Sequence, residues 1–253
     1  LKQSYMTTIV RQVINKESLK KISTANELRK KSLYDILEEK FRPYIGMTLK
    51  EISHATGIEI TKSKNFLQNF ISGLLGIKGT KLNQIEEFAK SNIQFKTVRL
   101  EPNGYPKEHM SFQNVDFHKW VEESWEESWM KNYFEETKFM FVVFHYKESK
   151  TQNPSRKLYC KRITFWNMPQ YEIDGRLKEF WEHVKTLLIE GVELTEVIQK
   201  SGKIIVKNNL PKSDFNGLCH LRPKGRDASD KIKLPDGQWI TKQCFWLNSE
   251  YIG

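Results

Sequence analysis

Three residues at the spacing of a catalytic metal site, Glu87, Gln94 and Lys96, lie in the first half of the chain. In such a site two carboxylates hold a divalent ion, and a lysine two residues after the second acid positions or activates water. Here an amide stands at the second acid position. Because a glutamine carbonyl has no net charge, it is a poor substitute for a carboxylate on Mg2+. Taken alone, the pattern has little specificity, since strands often carry exposed polar residues.

The element that must position Gln94 and Lys96 is a strand over Ile93–Leu100, which the alternation of residue types predicts. Successive side chains of a strand point to opposite faces, so residues two apart lie on the same face, about 7 Å from each other. We therefore expect Gln94 and Lys96 to share one face of this strand. Ile93 and Phe95 then point to the other face.

A second stretch with chemical potential is Arg-Pro-Lys-Gly-Arg-Asp at residues 222–227. Arginine can bind the O6 and N7 atoms of guanine with two hydrogen bonds, and lysine can reach the same edge. Proline and glycine restrict the loop, so less order is lost on binding. Three nearby lysines could hold phosphates: Lys231, Lys233 and Lys242. The alternative is a solvated basic turn.

Composition favours a polyanionic partner for this chain of 253 residues, with 41 Lys and Arg against 31 Asp and Glu, a net charge of +10. Basic residues that serve only solubility would give the same balance. The three cysteines are far apart and form no CxxC pair, so we expect neither a disulfide framework nor a zinc site, and a cytoplasmic location. No apolar run approaches the roughly 18 residues of a membrane span, so no membrane partner is expected.

Five stretches in order along the chain carry a family resemblance, namely residues 46–52, 64–76, 92–98, 221–224 and 234–237. They are similar to the entry helix, the next helix, the glycine-acid-lysine strand, the DNA-recognition loop and the final hairpin of one family. That family is the MutH family, the GATC-nicking mismatch-repair endonucleases and their restriction-enzyme relatives. The chain departs from its pattern at Asn92, where glycine is usual, and at Gln94, where the acid belongs.

The resemblance implies an α/β (mixed α+β) fold, a restriction-endonuclease-like mixed sheet flanked by helices. It implies a MutH-like DNA-binding domain at 29–253, preceded by a linker or leading helix at 1–28, in a fragment of a longer protein with two copies of the domain. Since Gln94 occupies the catalytic position, we interpret Glu87, Gln94 and Lys96 as a relict site without a cofactor. The domain is expected to bind GATC duplex DNA, with a dimer on DNA as an option, and to assist the Mg2+-dependent cleaving copy of a type II restriction endonuclease.

The same resemblance assigns the DNA-binding residues. Arg222, Pro223 and Lys224 match the recognition loop, and Trp239 stands where the family has a tyrosine that senses adenine methylation. The further expected DNA contacts are Arg226, Lys231, Lys233, Lys242 and Lys64.

Two other functions remain open from the sequence. The chain could be an active nuclease that uses Glu86, Glu87 or Glu101 as a substitute acid. It could also be a transcription regulator in which residues 48–70 form a helix-turn-helix with Gly57 at the turn. The large apolar residues of the second helix favour a place in the core instead.

Hydrophobic periodicity and capping signals predict the elements around these residues. The predicted helices are 24–40, 48–57, 66–76, 119–136, 174–190 and 193–200. The predicted strands are 93–100, 138–146, 157–166, 203–206, 218–221 and 239–247, with loops at 105–117 and 207–216. The tryptophans of 119–136 are expected to face the core, and its glutamates to face solvent or a protein neighbour.

Overall fold

The computed structural model describes residues 6, 10, 19–63, 66–77, 85–200, 202, 204–227 and 229–253. They fall into two compact units. The first unit contains the described residues of Leu1–Lys107 together with Glu136–Asn167, and the second contains Glu108–Glu135 together with Met168–Gly253. Helices and small sheets alternate in both, so the predicted mixed α/β class is confirmed.

The elements are numbered here in chain order. The described α-helices of four or more residues are α1 Ala25–Lys30, α2 Leu33–Phe41, α3 Leu49–Thr56, α4 Phe66–Leu74, α5 Glu86–Lys90, α6 Phe117–Glu122, α7 Trp129–Glu136, α8 Lys178–Glu190 and α9 Ser249–Ile252. The strands are β1 Ile93–Leu100, β2 Met110–Asn114, β3 Lys138–Tyr146, β4 Leu158–Trp166, β5 Leu194–Ile198, β6 Ile204–Asn208, β7 Cys219–Pro223, β8 Lys231–Lys233, β9 Trp239–Thr241 and β10 Gln243–Leu247.

The first unit is built on a mixed sheet in the order β1-β3-β4, with β1 parallel and β4 antiparallel to β3. The central strand β3 is buried from Phe139 to Phe144, as its apolar run predicts. Met140, Val142 and Phe144 pack on one face against a core supplied by α2 to α5. Burial of this face holds β1, and with it the predicted relict positions, in a fixed register.

The second unit contains the antiparallel sheet β2-β10-β7 and two separate two-stranded ribbons, β5–β6 and β8–β9. Its core is aromatic, with Trp120, Phe134, Phe180 and Phe245 fully buried. Their ring centres lie 5.5 to 6.2 Å apart in tilted and edge-to-face pairs, the geometry that aromatic rings prefer. This core supports β10 and therefore β7, which pairs with it.

Two predicted helices are each interrupted. The helix predicted at 24–40 breaks because Ser32 caps a new helix, its hydroxyl accepting from the Asp35 N–H. The helix predicted at 119–136 becomes α6 and α7, and the intervening segment lets Trp125 pack 5.7 Å from Trp181. The expectation that these tryptophans serve the core holds for Trp120 and Trp125, which are buried.

The helix predicted at 193–200 is wrong, since Leu194–Ile198 forms β5 and pairs with β6. Its β-branched residues favour a strand once a partner strand is present. The expected helix start at Asp174 is also wrong, because this residue lies inside a π-helical turn at Ile173–Leu177. Helical structure begins earlier, at Gln170 after Pro169.

Three further boundaries differ. The predicted loop 105–117 contains β2, and the predicted strand 239–247 is divided into β9 and β10. β6 reaches Asn208, inside the predicted loop 207–216. Most of the predicted leading segment 1–28 lies outside the described residues, and the division at residue 28 stays a prediction. In the described part, no helix is long and apolar enough to cross a lipid bilayer.

Candidate nucleic-acid interface

The reading loop, residues 222–227, begins at the end of β7. β7 pairs with β10 in antiparallel register, with Arg222 opposite Cys244. The side chains of Arg222, Pro223 and Lys224 are exposed, whereas Leu221 before them is buried. The cations Arg222 and Lys224 are therefore directed to solvent at this end of the sheet. The strand continues through Arg222 and Pro223, two residues beyond its predicted end at Leu221, because both residues pair with β10.

Lys224 is held at both ends. Its backbone N–H donates to the carbonyl of Lys242 at 2.8 Å, which extends the β7–β10 pairing by one residue. Its ammonium group donates to the hydroxyl of Ser111 at 2.8 Å, on strand β2 at the other side of β10. A long side chain that is already ordered loses less entropy when it binds a ligand.

The aromatic side chain of Trp246, which no sequence motif had marked, lies against both reading cations. The Arg222 guanidinium lies 5.6 Å and the Lys224 ammonium 5.3 Å from the centre of its ring. Both distances are within the range of cation–π attraction. Strand periodicity was a signal that could have identified Trp246. Arg222 pairs with Cys244 of β10, and Trp246, two residues farther along that strand, points to the same face as Cys244.

The far side of the reading loop is closed by two aspartates. Asp230 accepts from the Arg226 N–H at 2.9 Å and from the Lys242 ammonium at 2.6 Å. Asp227 accepts from Arg226 Nε at 3.0 Å and from Ser229. Hydrogen bonds from Lys242 and the Arg226 amide lower the pKa of Asp230, and those from Ser229 and Arg226 lower the pKa of Asp227. Arg226 and Lys242 thus help to shape the loop.

The other predicted phosphate-binding lysines lie on the β8–β9 ribbon. Lys231 and Lys233 are exposed and pair with Thr241 and Trp239 across the ribbon. Trp239 is 57% exposed. Its cross-strand partner is Lys233, whereas the aromatic ring that contacts Arg222 and Lys224 is Trp246. The remaining predicted contact, Lys64, lies outside the described residues.

In the first unit, Glu87 is buried and bound by the chain itself. One of its carboxylate oxygens accepts from the Ile22 N–H at 3.1 Å, the Ser23 N–H at 2.9 Å and the Ser23 hydroxyl at 2.6 Å. Its exposed fraction is 8%. The carboxylate at the first acid position therefore anchors residues 22–23 against α5.

Gln94 and Lys96 share one face of β1, as predicted. Their partners on β3 are Phe139 and Phe141, whose rings stack with centres 6.2 Å apart. Trp166 of β4 lies 5.6 and 5.7 Å from these two rings. The face that carries Gln94 and Lys96 is thus formed largely by aromatic residues of β3 and β4.

The two other acids considered for catalysis are engaged in ion pairs. Glu86 pairs with Lys90 at 2.5 Å, and this hydrogen bond lowers the pKa of Glu86. Glu101 binds Arg156 through both carboxylate oxygens, which lowers the pKa of Glu101. Within the described ranges, no group of three or more His, Cys, Asp and Glu residues could hold a metal ion.

Comparison with known proteins gives one family match. The family model for the DNA mismatch repair enzyme MutH matches residues 79–177, which include α5, β1, β3 and β4. This segment contains Glu87, Gln94 and Lys96 but ends before the reading loop.

Individual relatives cover more of the chain. The type II restriction enzyme Sau3AI of Staphylococcus aureus is 33% identical over the whole chain, which spans 57% of that enzyme's length. The mismatch repair protein MutH of Actinobacillus pleuropneumoniae serotype 3 (strain JL03) is 24% identical over 82% of the chain and 88% of its own length. MutH of Haemophilus influenzae (strain ATCC 51907 / DSM 11121 / KW20 / Rd) is 22% identical over 78% of the chain and 84% of its own length.

Proposed function

We propose, from the MutH-family domain that this chain carries, that it binds duplex DNA at GATC without cleaving it. Residues 79–177 match that family's model, and the whole chain is similar to a type II restriction enzyme. GATC is proposed because the reading loop resembles the recognition loop of the GATC-nicking endonucleases of this family.

The geometry of the reading loop carries the proposal. Arg222 and Lys224 are exposed, lie side by side on one tryptophan ring, and belong to a backbone held by β10. A bidentate arginine contact with a guanine contributes about 1–3 kcal/mol of discrimination against the wrong base. Such a contact needs a guanidinium whose direction is set in advance, which the sheet and Trp246 provide.

The absence of cleavage is proposed from two residues. Gln94 contributes no negative charge to a metal ion, and the Glu87 carboxylate already accepts hydrogen bonds from three donors of residues 22–23. A divalent ion here would have to displace buried hydrogen bonds and still lack a second carboxylate.

We further propose a helper role in a longer restriction enzyme. The chain spans little more than half of the related restriction enzyme, which leaves room there for a second copy of the domain. The present domain would bind one GATC site and assist a cleaving copy, which would use Mg2+ at a second site, with dimerisation on DNA as an additional option. Binding at one site then changes activity at another only if the two are energetically coupled.

Neither competing function has support from the described residues. The substitute acids Glu86 and Glu101 are tied to Lys90 and Arg156. For a helix-turn-helix regulator, α4 would have to expose a polar face to bases. Instead α4 buries Phe70 and Ile71 in the core of the first unit.

Paired DNA titrations test the binding proposal. Arg222→Ala should weaken binding to a GATC duplex by about 1–3 kcal/mol and leave a scrambled duplex nearly unaffected, because a base-edge contact exists only at the right sequence. Lys233→Ala is the matched control, since removal of a phosphate-binding group weakens both complexes alike. An unchanged ratio of the two affinities in Arg222→Ala would remove the loop as the reader.

A cleavage assay tests the second half of the proposal. The unaltered chain is incubated with a GATC-containing plasmid and Mg2+, and supercoiled, nicked and linear forms are separated on a gel. We expect only supercoiled plasmid. Mg2+-dependent nicks or double-strand cuts at GATC would contradict a non-cleaving domain.

A further inference from the structure

A second group of cations lies in the first unit, on the hairpin formed by β3 and β4. This hairpin cation patch consists of Lys147, Lys150, Lys157, Lys161 and Arg162. All but Lys161 are exposed, and Lys161 is half-buried. Within the part of the chain that the structure describes, none of the five forms an ion pair. The patch differs in this respect from Arg226 and Lys242 of the second unit, which aspartates neutralise.

One lysine of the patch, Lys147, lies against a pair of aromatic rings. His145 and Tyr159 are cross-strand partners with ring centres 5.7 Å apart, and the Lys147 ammonium lies 4.2 Å from the centre of the Tyr159 ring. Burial and the positive charges of Lys161 and Lys147 lower the pKa of His145. This end of the hairpin thus concentrates positive charge that no carboxylate among the described residues cancels by direct contact.

The register of the sheet relates this patch to the relict positions. Lys96 pairs with Phe141, and Leu100 pairs with His145, four residues farther along β3. Side chains two or four residues apart on a strand share a face, so His145 and Tyr159 lie on the face of Gln94 and Lys96. Four residues of strand span about 13 Å. One strand of a duplex carries a phosphate per roughly 3.4 Å of helix axis, so about four phosphates span this distance.

We propose that the hairpin cation patch is a second DNA-binding surface, which holds the phosphates of duplex DNA independently of base sequence. The proposal rests on the DNA-binding function proposed above, and it adds a binding region in the first unit to the reading loop of the second. Lysines that form no direct ion pair with a carboxylate suit phosphates, which they contact without reading bases. The charges of Lys157 and Lys147 add, after hydrogen bonds from Thr48, to the lowering of the pKa of Glu51. Each phosphate neutralised releases counterions and steepens the salt dependence of binding.

The test compares two triple variants of equal charge. Lys147→Gln/Lys157→Gln/Lys161→Gln removes three cations of the patch, and Lys30→Gln/Lys31→Gln/Lys40→Gln removes three from the region of α1 and α2 in the same unit. Each lowers the net charge from +10 to +7. Affinities for a GATC duplex and a scrambled duplex are measured from about 50 to 200 mM salt, the range over which phosphate binding dominates the change.

We expect the patch variant to bind both duplexes more weakly by the same factor. Its log–log salt slope should become shallower by about 0.9 for each phosphate that the variant no longer neutralises, while the control variant stays close to the unaltered chain. A patch variant that binds scrambled DNA as well as the control does would overturn the inference. A GATC-to-scrambled ratio near one in the unaltered chain would instead contradict the reading-loop proposal and leave the patch comparison valid on scrambled DNA.

Discussion

Glu87 has the residue type of a metal ligand and performs a structural task. Its carboxylate receives two backbone amides and a hydroxyl from Ile22 and Ser23, both buried. Buried amides without an acceptor are costly, so the segment depends on this one side chain. The structural role of this carboxylate supports the proposal that the domain does not cleave DNA.

The first prediction concerns Glu87→Ala. It should lower the free energy of unfolding by at least the roughly 1–3 kcal/mol that one orphaned buried donor costs. The free energy of unfolding of Glu87→Gln should lie between those of the unaltered chain and Glu87→Ala, because the glutamine amide keeps one acceptor oxygen. Glu39→Ala, which removes only the exposed ion pair with Lys31, serves as the control in urea denaturation. Equal losses of unfolding free energy in Glu87→Ala and Glu39→Ala would contradict the role of Glu87 as the anchor of residues 22–23.

Trp246 is the second residue whose role we predict. Trp246→Ala should lower the GATC-to-scrambled affinity ratio, because each cation–π interaction with Arg222 or Lys224 contributes about 0.5–1 kcal/mol at exposed sites. Trp246→Phe keeps a ring at the same place and should retain most of the ratio. The two affinities are measured by the same pair of DNA titrations. Identical GATC-to-scrambled affinity ratios in Trp246→Ala and Trp246→Phe would contradict a role of the ring in positioning Arg222 and Lys224.

At the scale of elements, the reading loop is a continuation of sheet β2-β10-β7 that two aspartates close. The sheet sets the direction of Arg222, and Asp230 links Arg226 to Lys242. The aspartates near the proposed DNA-reading side chains therefore have a structural role, although a carboxylate near phosphate is electrostatically unfavourable. The two aspartates contribute by holding the backbone and side chains of the reading loop in place.

Asp230→Asn should separate the two effects of this aspartate. Removal of a negative charge should raise the affinity for scrambled DNA, while the loosened loop should lower the GATC-to-scrambled ratio. Asp214→Asn is the control, because it makes the same charge change at an exposed aspartate without a partner among the described residues. If both variants change the ratio equally, loop closure by Asp230 is unimportant for reading.

At the scale of the whole molecule, the net charge of +10 predicts salt-steep binding. Several phosphate contacts, each adding about −0.9 to the log–log slope on duplex DNA, should give a slope of several units. Fluorescence anisotropy of a labelled duplex from about 50 to 200 mM salt measures it. A slope near zero is incompatible with an interface built on phosphate contacts.

Acid stability is the second property of the whole molecule that we predict. Burial is the main cause that lowers the pKa of His220 from 6.5, and Arg156 lowers that of Glu101 from 4.5. A group with a lowered folded-state pKa stabilises the fold above its unfolded pKa and loses this contribution as the pH falls. The free energy of unfolding should therefore decline below about pH 6.5 and more steeply below about pH 4.5. Constant stability down to about pH 4 would contradict these shifts.

Local signals in the sequence were enough for several elements. The capping boxes Thr24/Glu27 and Thr48/Glu51 form as predicted, and β1 runs over the predicted residues. These features depend on hydrogen bonds between residues three apart or on side-chain alternation along one strand. The Arg-Pro-Lys sequence was likewise readable, because its residue types determine both its exposure and the chemistry it offers.

What only the tertiary structure decided involves residues far apart in the chain. Glu87 meets Ile22 across 65 residues, and β5 is a strand because β6 lies beside it. Trp246 contacts Arg222 through the pairing of β7 with β10, and the register of β1, β3 and β4 places His145 on the face of Gln94 and Lys96. The sequence by itself determined which chemical groups the chain possesses and where several of its helices and strands begin and end. Packing decided which groups meet, because burial of apolar surface and the pairing of strands depend on partners that no local pattern contains.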